Sequence, residues 1–147
     1  MRNSLRLISL LLLFLAARPC LAQEASDSVV SKEYNLLMQV RGNEISNICV
    51  MKTEPDGSIV GTVVSQFGIK AFDFTYSQGK AQVLNLIAML DKWYIRKVLR
   101  KDLTFILQNL PESKDVVKKK RKMTFLPNGD IDVVNEKYKI RYLFSRI

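Results

Sequence analysis

The sequence contains no histidine, only two cysteines and one tryptophan, and 14 acidic residues against 23 Lys and Arg among its 147 residues. Histidine is the commonest general base and the commonest metal ligand, so its absence excludes Ser-His-Asp and Cys-His catalytic centres. The acidic residues are scattered, and neither a Gly-rich phosphate loop nor a Cys/His metal-binding spacing occurs. The sequence therefore predicts a protein that is not an enzyme and that needs no metal or cofactor.

The charge and the length narrow the class of protein further. With 48% hydrophobic and 25% charged residues, the composition is that of an ordinary globular protein. Since domains typically have about 100–150 residues, the chain is expected to hold one domain. The formal charge of +9 indicates either an anionic partner, such as nucleic acid, an anionic membrane surface or an acidic ligand, or a role in solubility alone.

The first 22 residues have the features of a secretory signal peptide. Arg2 and Arg6 form a positive n-region, and residues 7–17 form an apolar stretch that is too short to cross a bilayer. Small residues at Cys20 and Ala22 allow cleavage before Gln23, which predicts a periplasmic protein. An alternative is that Cys20 carries a lipid and anchors the protein to a membrane, although residues 17–19 do not form the usual small-residue lipobox.

Cleavage near Ala22 changes the charge and the cysteine count of the mature chain. Loss of Arg2, Arg6 and Arg18 lowers the formal charge from +9 to +6. Cys49 is then the single cysteine, so no internal disulfide can form, and we expect its side chain to behave as a small buried hydrophobe. The fold must therefore depend on its apolar core.

After a polar, flexible leader at residues 23–33, the pattern is that of short strands separated by turn residues. Turn signals such as the Pro-Asp-Gly at 55–57 and the Pro-Asn-Gly at 127–129 join the strands closely, which predicts an antiparallel meander. About eight strands are expected, at residues 34–41, 44–53, 58–65, 70–76, 81–84, 116–126, 131–135 and 138–146.

One helical segment, at about residues 85–109, interrupts the strands and ends before Pro111. On a helical wheel, one face is apolar and the other is basic. Leu103 and Leu107 leave the apolar face, which predicts a bend or break near Asp102. The apolar face comprises Ile87, Tyr94, Ile95, Val98, Leu99, Phe105 and Ile106, and the basic face Lys92, Arg96, Lys97, Arg100 and Lys101.

These elements predict an α+β fold over residues 34–147, in which a curved, half-barrel-like antiparallel sheet carries the helical insertion on one face. Phe72, Phe74 and Tyr76 alternate along one strand, so their side chains point to the same side. The strand at 44–53 is partly apolar on both faces, and a single helix covers one of them. This pattern favours an apolar cavity between sheet and helix.

Two basic features have a structural and a functional interpretation. The run Lys118, Lys119, Lys120, Arg121, Lys122 is either a solvated edge strand, whose lysines prevent aggregation, or a contact with an anionic surface. Trp93 falls between Arg100 and Lys97 on the basic helix face, which is typical of an interfacial membrane element, but it could equally pack onto the sheet.

The order of signal peptide, meander, helical insertion and closing strands resembles the LolA/LolB type of periplasmic lipoprotein carriers. The resemblance is carried by the meander at 44–76, with its turn into an aromatic strand at 68–74, and by the helical region at 86–110. It is architectural and covers most of residues 34–147. It implies a curved sheet, covered by helix, that shelters acyl chains, and no carrier residue maps onto a position here.

The sequence thus favours a non-enzymatic periplasmic carrier that holds a lipid, a lipoprotein acyl chain or another apolar ligand between sheet and helix. An anionic membrane surface or an envelope protein would be its partner, and nucleic acid is not expected because no binding motif occurs. The alternative is a basic periplasmic adaptor that has no ligand cavity. The predicted ligand contacts are Phe72, Phe74, Tyr76, Tyr94 and Val98, and the predicted headgroup or partner contacts are Trp93, Arg96, Lys97, Arg100 and Lys120.

Overall fold

A computed structural model describes residues 29–147, and the predicted signal peptide at 1–22 lies outside the described residues, as does most of the leader. The described chain is an α+β fold, in which nine antiparallel strands form one open, curved sheet and an α-helix packs against it. The predicted fold class is therefore confirmed.

The strands are ordered β5-β4-β3-β2-β1-β9-β8-β7-β6 across the sheet, so β5 and β6 are its edges. The helix α1 spans Trp93–Asn109 and follows a short 3-10 turn at Ala88–Leu90, and a second 3-10 turn at Leu110–Glu112 follows it. The strand bounds are β1 Val30–Val40, β2 Asn43–Thr53, β3 Ile59–Ser65, β4 Lys70–Ser77, β5 Lys80–Leu84, β6 Val116–Lys118, β7 Arg121–Phe125, β8 Ile131–Asn135 and β9 Ile140–Arg146.

Three segments differ from the sequence expectation. The helix begins at Trp93 and not at about residue 85, because residues 85–92 form a loop with a 3-10 turn, so Ile87 and Lys92 lie outside the helix. β1 begins at Val30 and pairs along its whole length with β2, so the last residues of the predicted leader belong to the sheet. The basic run at 118–122 is not one strand: Lys119 and Lys120 form a two-residue turn between β6 and β7. The predicted single strand at 116–126 is therefore wrong, because the chain reverses there.

The core lies between the inner face of the sheet and α1. Every strand except β6 contributes buried apolar side chains, and they form one cluster with Leu99, Leu103 and Ile106 of the helix. Phe74 is 1% exposed, and its ring occupies the space where a side chain at Gly61 on β3 would lie. The glycine on β3 thus makes room for the aromatic ring of Phe74 in the core.

Cys49 belongs to the same core, as the sequence analysis expected. Its side chain is buried, and this burial raises the pKa of the thiol to about 12. Because the thiolate is the nucleophilic form, the native protein keeps Cys49 unreactive near neutral pH.

α1 is one continuous helix from Trp93 to Asn109, so the break predicted near Asp102 as one alternative does not occur. Its buried face includes Leu99, Asp102, Leu103, Ile106 and Leu107, which is the i, i+3, i+4, i+7, i+8 spacing of a straight helix. Asp102 lies among these apolar residues on the buried face, and with it the buried stripe runs without a gap along the helix.

Asp102 is 1% exposed and accepts three hydrogen bonds from the sheet. Its Oδ1 accepts from Nε of Arg121 at 2.7 Å and from Nδ2 of Asn135 at 2.8 Å, and its Oδ2 accepts from the hydroxyl of Tyr142 at 2.6 Å. These donors come from β7, β8 and β9, so one carboxylate fixes the helix to three adjacent strands.

We expect Asp102→Ala to lower the free energy of unfolding by about 3 kcal/mol, because it leaves the Arg121 charge and two polar groups without their buried partner. Asp91→Ala is the matched control, since Asp91 pairs with Arg96 at the surface and its loss should change stability by less than about 1 kcal/mol. Urea unfolding followed by circular dichroism measures both. Equal effects of the two substitutions would contradict the role of Asp102 as the residue that fixes the helix to the sheet.

Candidate functional site: a basic cleft at the open seam of the sheet

The curvature of the sheet brings its two edges to α1 from opposite sides. On the β5 side, the backbone N–H of Ala81 donates to Oγ1 of Thr104 at 3.0 Å, and the Thr104 hydroxyl donates to the carbonyl of Arg100 at 2.7 Å. On the β6 side, the ion pair of Asp102 and Arg121 holds the helix. α1 therefore lies in the seam between β5 and β6.

A cleft of about 510 Å³ lies along this seam, and six cationic residues line it. We call it the basic cleft. Gln82, Thr104 and Gln108 supply its neutral polar lining. The cations are Lys80 from β5, Arg100 and Lys101 from α1, and Lys118, Lys119 and Arg121 from the β6–β7 hairpin.

The charges of the basic cleft are largely uncompensated. Arg121 pairs with Asp102 at 2.7 Å. The other five cations have no carboxylate oxygen within 4.0 Å in the part of the chain that the structure describes. The cleft is therefore a concave surface of one sign, where an anion is attracted more strongly than on a flat surface.

A second cleft of about 390 Å³ adjoins the first and shares Gln82 and Arg100 with it. We call it the aromatic cleft, because Trp93 forms one wall together with Val83 and Leu84. Its basic residues are Arg96, Lys97 and the shared Arg100. Arg96 donates to the carbonyl of Val83 at 2.9 Å and pairs with Asp91 at 2.7 Å, so its guanidinium is held in place.

Four of the five predicted headgroup or partner contacts line these clefts. Arg100 lines both, and Trp93, Arg96 and Lys97 line the aromatic cleft. Lys120 lies in the β6–β7 turn beside the basic cleft, where its carbonyl accepts from the backbone N–H of Glu136 at 2.9 Å. The structure thus groups the predicted cationic residues near one end of α1.

The predicted ligand contacts do not share one surface. Phe72 and Phe74 are fully buried in the core, and Tyr76 is half-buried against it. Val98 is half-buried on α1, whereas Tyr94 is exposed and packs edge-on against Trp93 at a ring distance of 6.0 Å. The space between sheet and helix is occupied by the side chains of the protein itself.

The prediction did not select Lys80, Lys101, Lys118, Lys119 and Arg121 as site residues. Lys80 stands beside a turn and Arg121 within a basic run, so each has an ordinary local explanation. They meet only because the two ends of a nine-strand sheet approach the same helix. No local sequence pattern predicts that the two ends of the sheet approach one helix, since this depends on the curvature of the whole sheet.

The chemistry available in the basic cleft is that of binding. Its lining contains cations, amides and one hydroxyl, and no carboxylate, thiol or phenol. Arginine can hold a phosphate or carboxylate with two parallel hydrogen bonds, and lysine adds mobile point charges. Within residues 29–147, no helix is both long enough and apolar enough to cross a membrane.

Trp93 is 76% exposed, so we expect the fluorescence of this single tryptophan to resemble that of an indole in water. Acrylamide should quench the native protein nearly as strongly as the urea-unfolded protein. The measurement compares Stern–Volmer constants in the two states. Strong protection in the native state would place Trp93 on the sheet and contradict its position at the aromatic cleft.

Comparisons of the chain with protein-family models, with curated proteins and with solved structures found no match. The resemblance to the LolA/LolB carriers therefore stays a prediction from the sequence. The geometry of the two clefts is what identifies the candidate site.

Proposed function

We propose that this protein is a non-enzymatic binding protein of the cell envelope that docks onto an anionic group through the basic cleft. One observation carries the proposal: six cations from α1 and from both edges of the sheet line a single cleft, and five of them lack an acidic partner among the described residues.

The electrostatics of the cleft support a binding role. Like charges held close together repel each other and destabilise the folded protein, and a bound anion removes that repulsion. An arrangement selected for stability alone would place acidic residues among the lysines, as the protein does with Lys52 and Glu54 and with Arg141 and Asp132. Five of the six cleft cations lack such a pair among the described residues, which favours an anion from outside the described chain.

The export signal predicted at residues 1–22 places this partner in the periplasm. There the anionic groups include phosphates of lipid headgroups and carboxylates of envelope proteins. This is the adaptor hypothesis of the sequence analysis, with the cleft as its contact surface. Binding should weaken as salt is added, because screening reduces attraction between exposed charges.

We expect the double variant Arg100→Gln/Lys101→Gln to bind soluble polyphosphate about tenfold or more weakly than the unmodified protein, because it removes two of the six cleft charges. Isothermal titration calorimetry at two salt concentrations measures the affinity and its salt dependence. The control Lys32→Gln/Lys114→Gln removes the same charge outside the cleft and should bind nearly as well as the unmodified protein.

Two results would overturn the proposed function. One is equal loss of affinity in the cleft variant and in the control, since the binding would then reflect net charge alone. The other is the absence of polyphosphate binding by the unmodified protein at low salt.

A second candidate function is the carriage of a lipid or acyl ligand, and the aromatic cleft favours it. Leu84 and Trp93 offer exposed apolar surface directly beside Arg96 and Lys97, and Val83 beneath them belongs to the core. An amphipathic anion could place its chain along the wall and its headgroup on the cations. The sequence predicts instead a ligand between sheet and helix. Binding there would require α1 to move away from the core.

For this second candidate, we expect the purified protein to retain lipid that native mass spectrometry detects, and Trp93→Ala to reduce the retained fraction severalfold. The substitution removes most of the apolar wall while leaving the basic cleft intact. Ile147→Ala is a matched control, because Ile147 is also exposed, does not line either cleft and follows β9 at the opposite end of the sheet. Lipid-free protein, or equal effects of both substitutions, would refute carriage at this site.

A further inference from the structure

The two ends of the sheet carry opposite charge. Because the strands are antiparallel, the connecting segments alternate between the ends. At one end, which we call the basic end, these segments hold Arg41, Lys92, Lys119, Lys120, Lys137 and Lys139, with Asp91 and Glu136 as their acidic residues. At the opposite, acidic end they hold Glu54, Asp56, Glu112, Asp115 and Asp130, with Lys114 as their cation.

Three neighbouring turns at the basic end form one continuous surface. The backbone N–H of Arg41 donates to the carbonyl of Lys139 at 3.3 Å, and that of Glu136 donates to the carbonyl of Lys120 at 2.9 Å. These bonds join the β1–β2, β8–β9 and β6–β7 turns. We call Arg41, Lys120, Lys137 and Lys139 the basic ridge.

The backbone of the ridge is left-handed at three of its four cations. Five of the seven hairpins place a glycine in the left-handed region, with φ between 76° and 90°. In the other two, lysine stands there: Lys120 has φ 61° and Lys139 has φ 56°. Both of these hairpins lie at the basic end.

The turn between β6 and β7 has lysine at two consecutive left-handed positions. Lys119 and Lys120 both have positive φ, which is the geometry of a type I′ turn, where Asn-Gly is the favoured pair. Arg41 is left-handed too, beside Gly42. Uncharged Gln78 and Ser113 are left-handed at the acidic end, so positive φ by itself is not specific to cations. What is confined to the basic end is the hairpin in which lysine takes the left-handed position that glycine holds elsewhere.

We propose that the basic ridge is a membrane-docking surface. Through it, the basic end of the protein contacts a bilayer that contains anionic phospholipid. This inference rests on the proposed function in taking the protein to be an anion binder. It uses a separate surface, since Arg41, Lys137 and Lys139 line a depression apart from the basic cleft.

A bilayer fits this surface better than a small ligand does, because the cations lie on several turns spread across one end of the sheet. The exposed apolar side chains at the same end are of the kind found at membrane interfaces. Trp93 and Met89 are each 76% exposed, and Tyr138 is exposed with Nζ of Lys137 5.3 Å from its ring centre. The acidic end would then point away from the negative surface.

The experiment measures binding of the purified protein to phosphatidylcholine vesicles with and without phosphatidylglycerol, by co-sedimentation. The test variant is Arg41→Asn/Lys139→Gly, which removes two charges and installs residues that favour the left-handed backbone. We expect the variant to bind the anionic vesicles about 25-fold more weakly, at about fivefold per cation. The control Lys32→Gln/Lys114→Gln, which lies away from the ridge, should bind as the unmodified protein does.

Measurements of Tm and of polyphosphate affinity show whether a loss of vesicle binding comes from the missing charges, from unfolding or from damage to the basic cleft. The test variant should keep or raise its Tm, because its turns become less strained, and should keep polyphosphate affinity, because the basic cleft is intact. A fall in Tm would show that the ridge residues are structural and would overturn the proposal.

Three further outcomes would overturn it: no binding of the unmodified protein to anionic vesicles, equal binding to uncharged vesicles, and equal loss in the test variant and the control. If vesicle binding fails while Arg100→Gln/Lys101→Gln still weakens polyphosphate binding, the proposed function stands and the membrane docking does not. A docked envelope protein is then the remaining partner for the ridge.

Discussion

The buried carboxylate of Asp102 is the interaction on which the arrangement of helix and sheet depends. A single charged group in the core is tolerated because three donors from three strands satisfy it, with Arg121 supplying the opposite charge. Burial and the nearby Asp102 charge raise the pKa of Tyr142 well above its ordinary value, so its phenol stays a hydrogen-bond donor to Asp102. Apolar packing alone would leave α1 free to slide along the sheet, whereas this network fixes its position and rotation.

The position of the helix in turn creates the cleft. Arg121 is held by Asp102 and directs the β6–β7 hairpin towards α1, while Thr104, two residues further along the helix, receives the edge of β5. Both sheet edges therefore approach one helix, and their lysines come together with Arg100 and Lys101. The ion pair between Asp102 and Arg121 thus positions the hairpin whose lysines line the proposed binding surface.

The surface charge of the protein is organised at two levels. The basic cleft is a concave site suited to one anionic group, and the basic ridge is an extended surface at one end of the sheet. Both include residues of the β6–β7 hairpin, which connects them. An anionic surface that contacts the ridge would lie close to the cleft, so that the two could act on the same membrane or partner.

The sequence by itself determined the α+β class, the succession of strands and helix along the chain, and the burial of Cys49. Turn residues and alternating apolar positions carry this information because they act locally. It also located Trp93, Arg96, Lys97 and Arg100 on the polar side of the helix. Only the tertiary structure decided that Asp102 is buried, since its hydrogen-bond donors come from strands far along the chain. The same holds for the cleft and for the ridge: both join residues distant in sequence, and sheet curvature and strand order, not local pattern, bring them together.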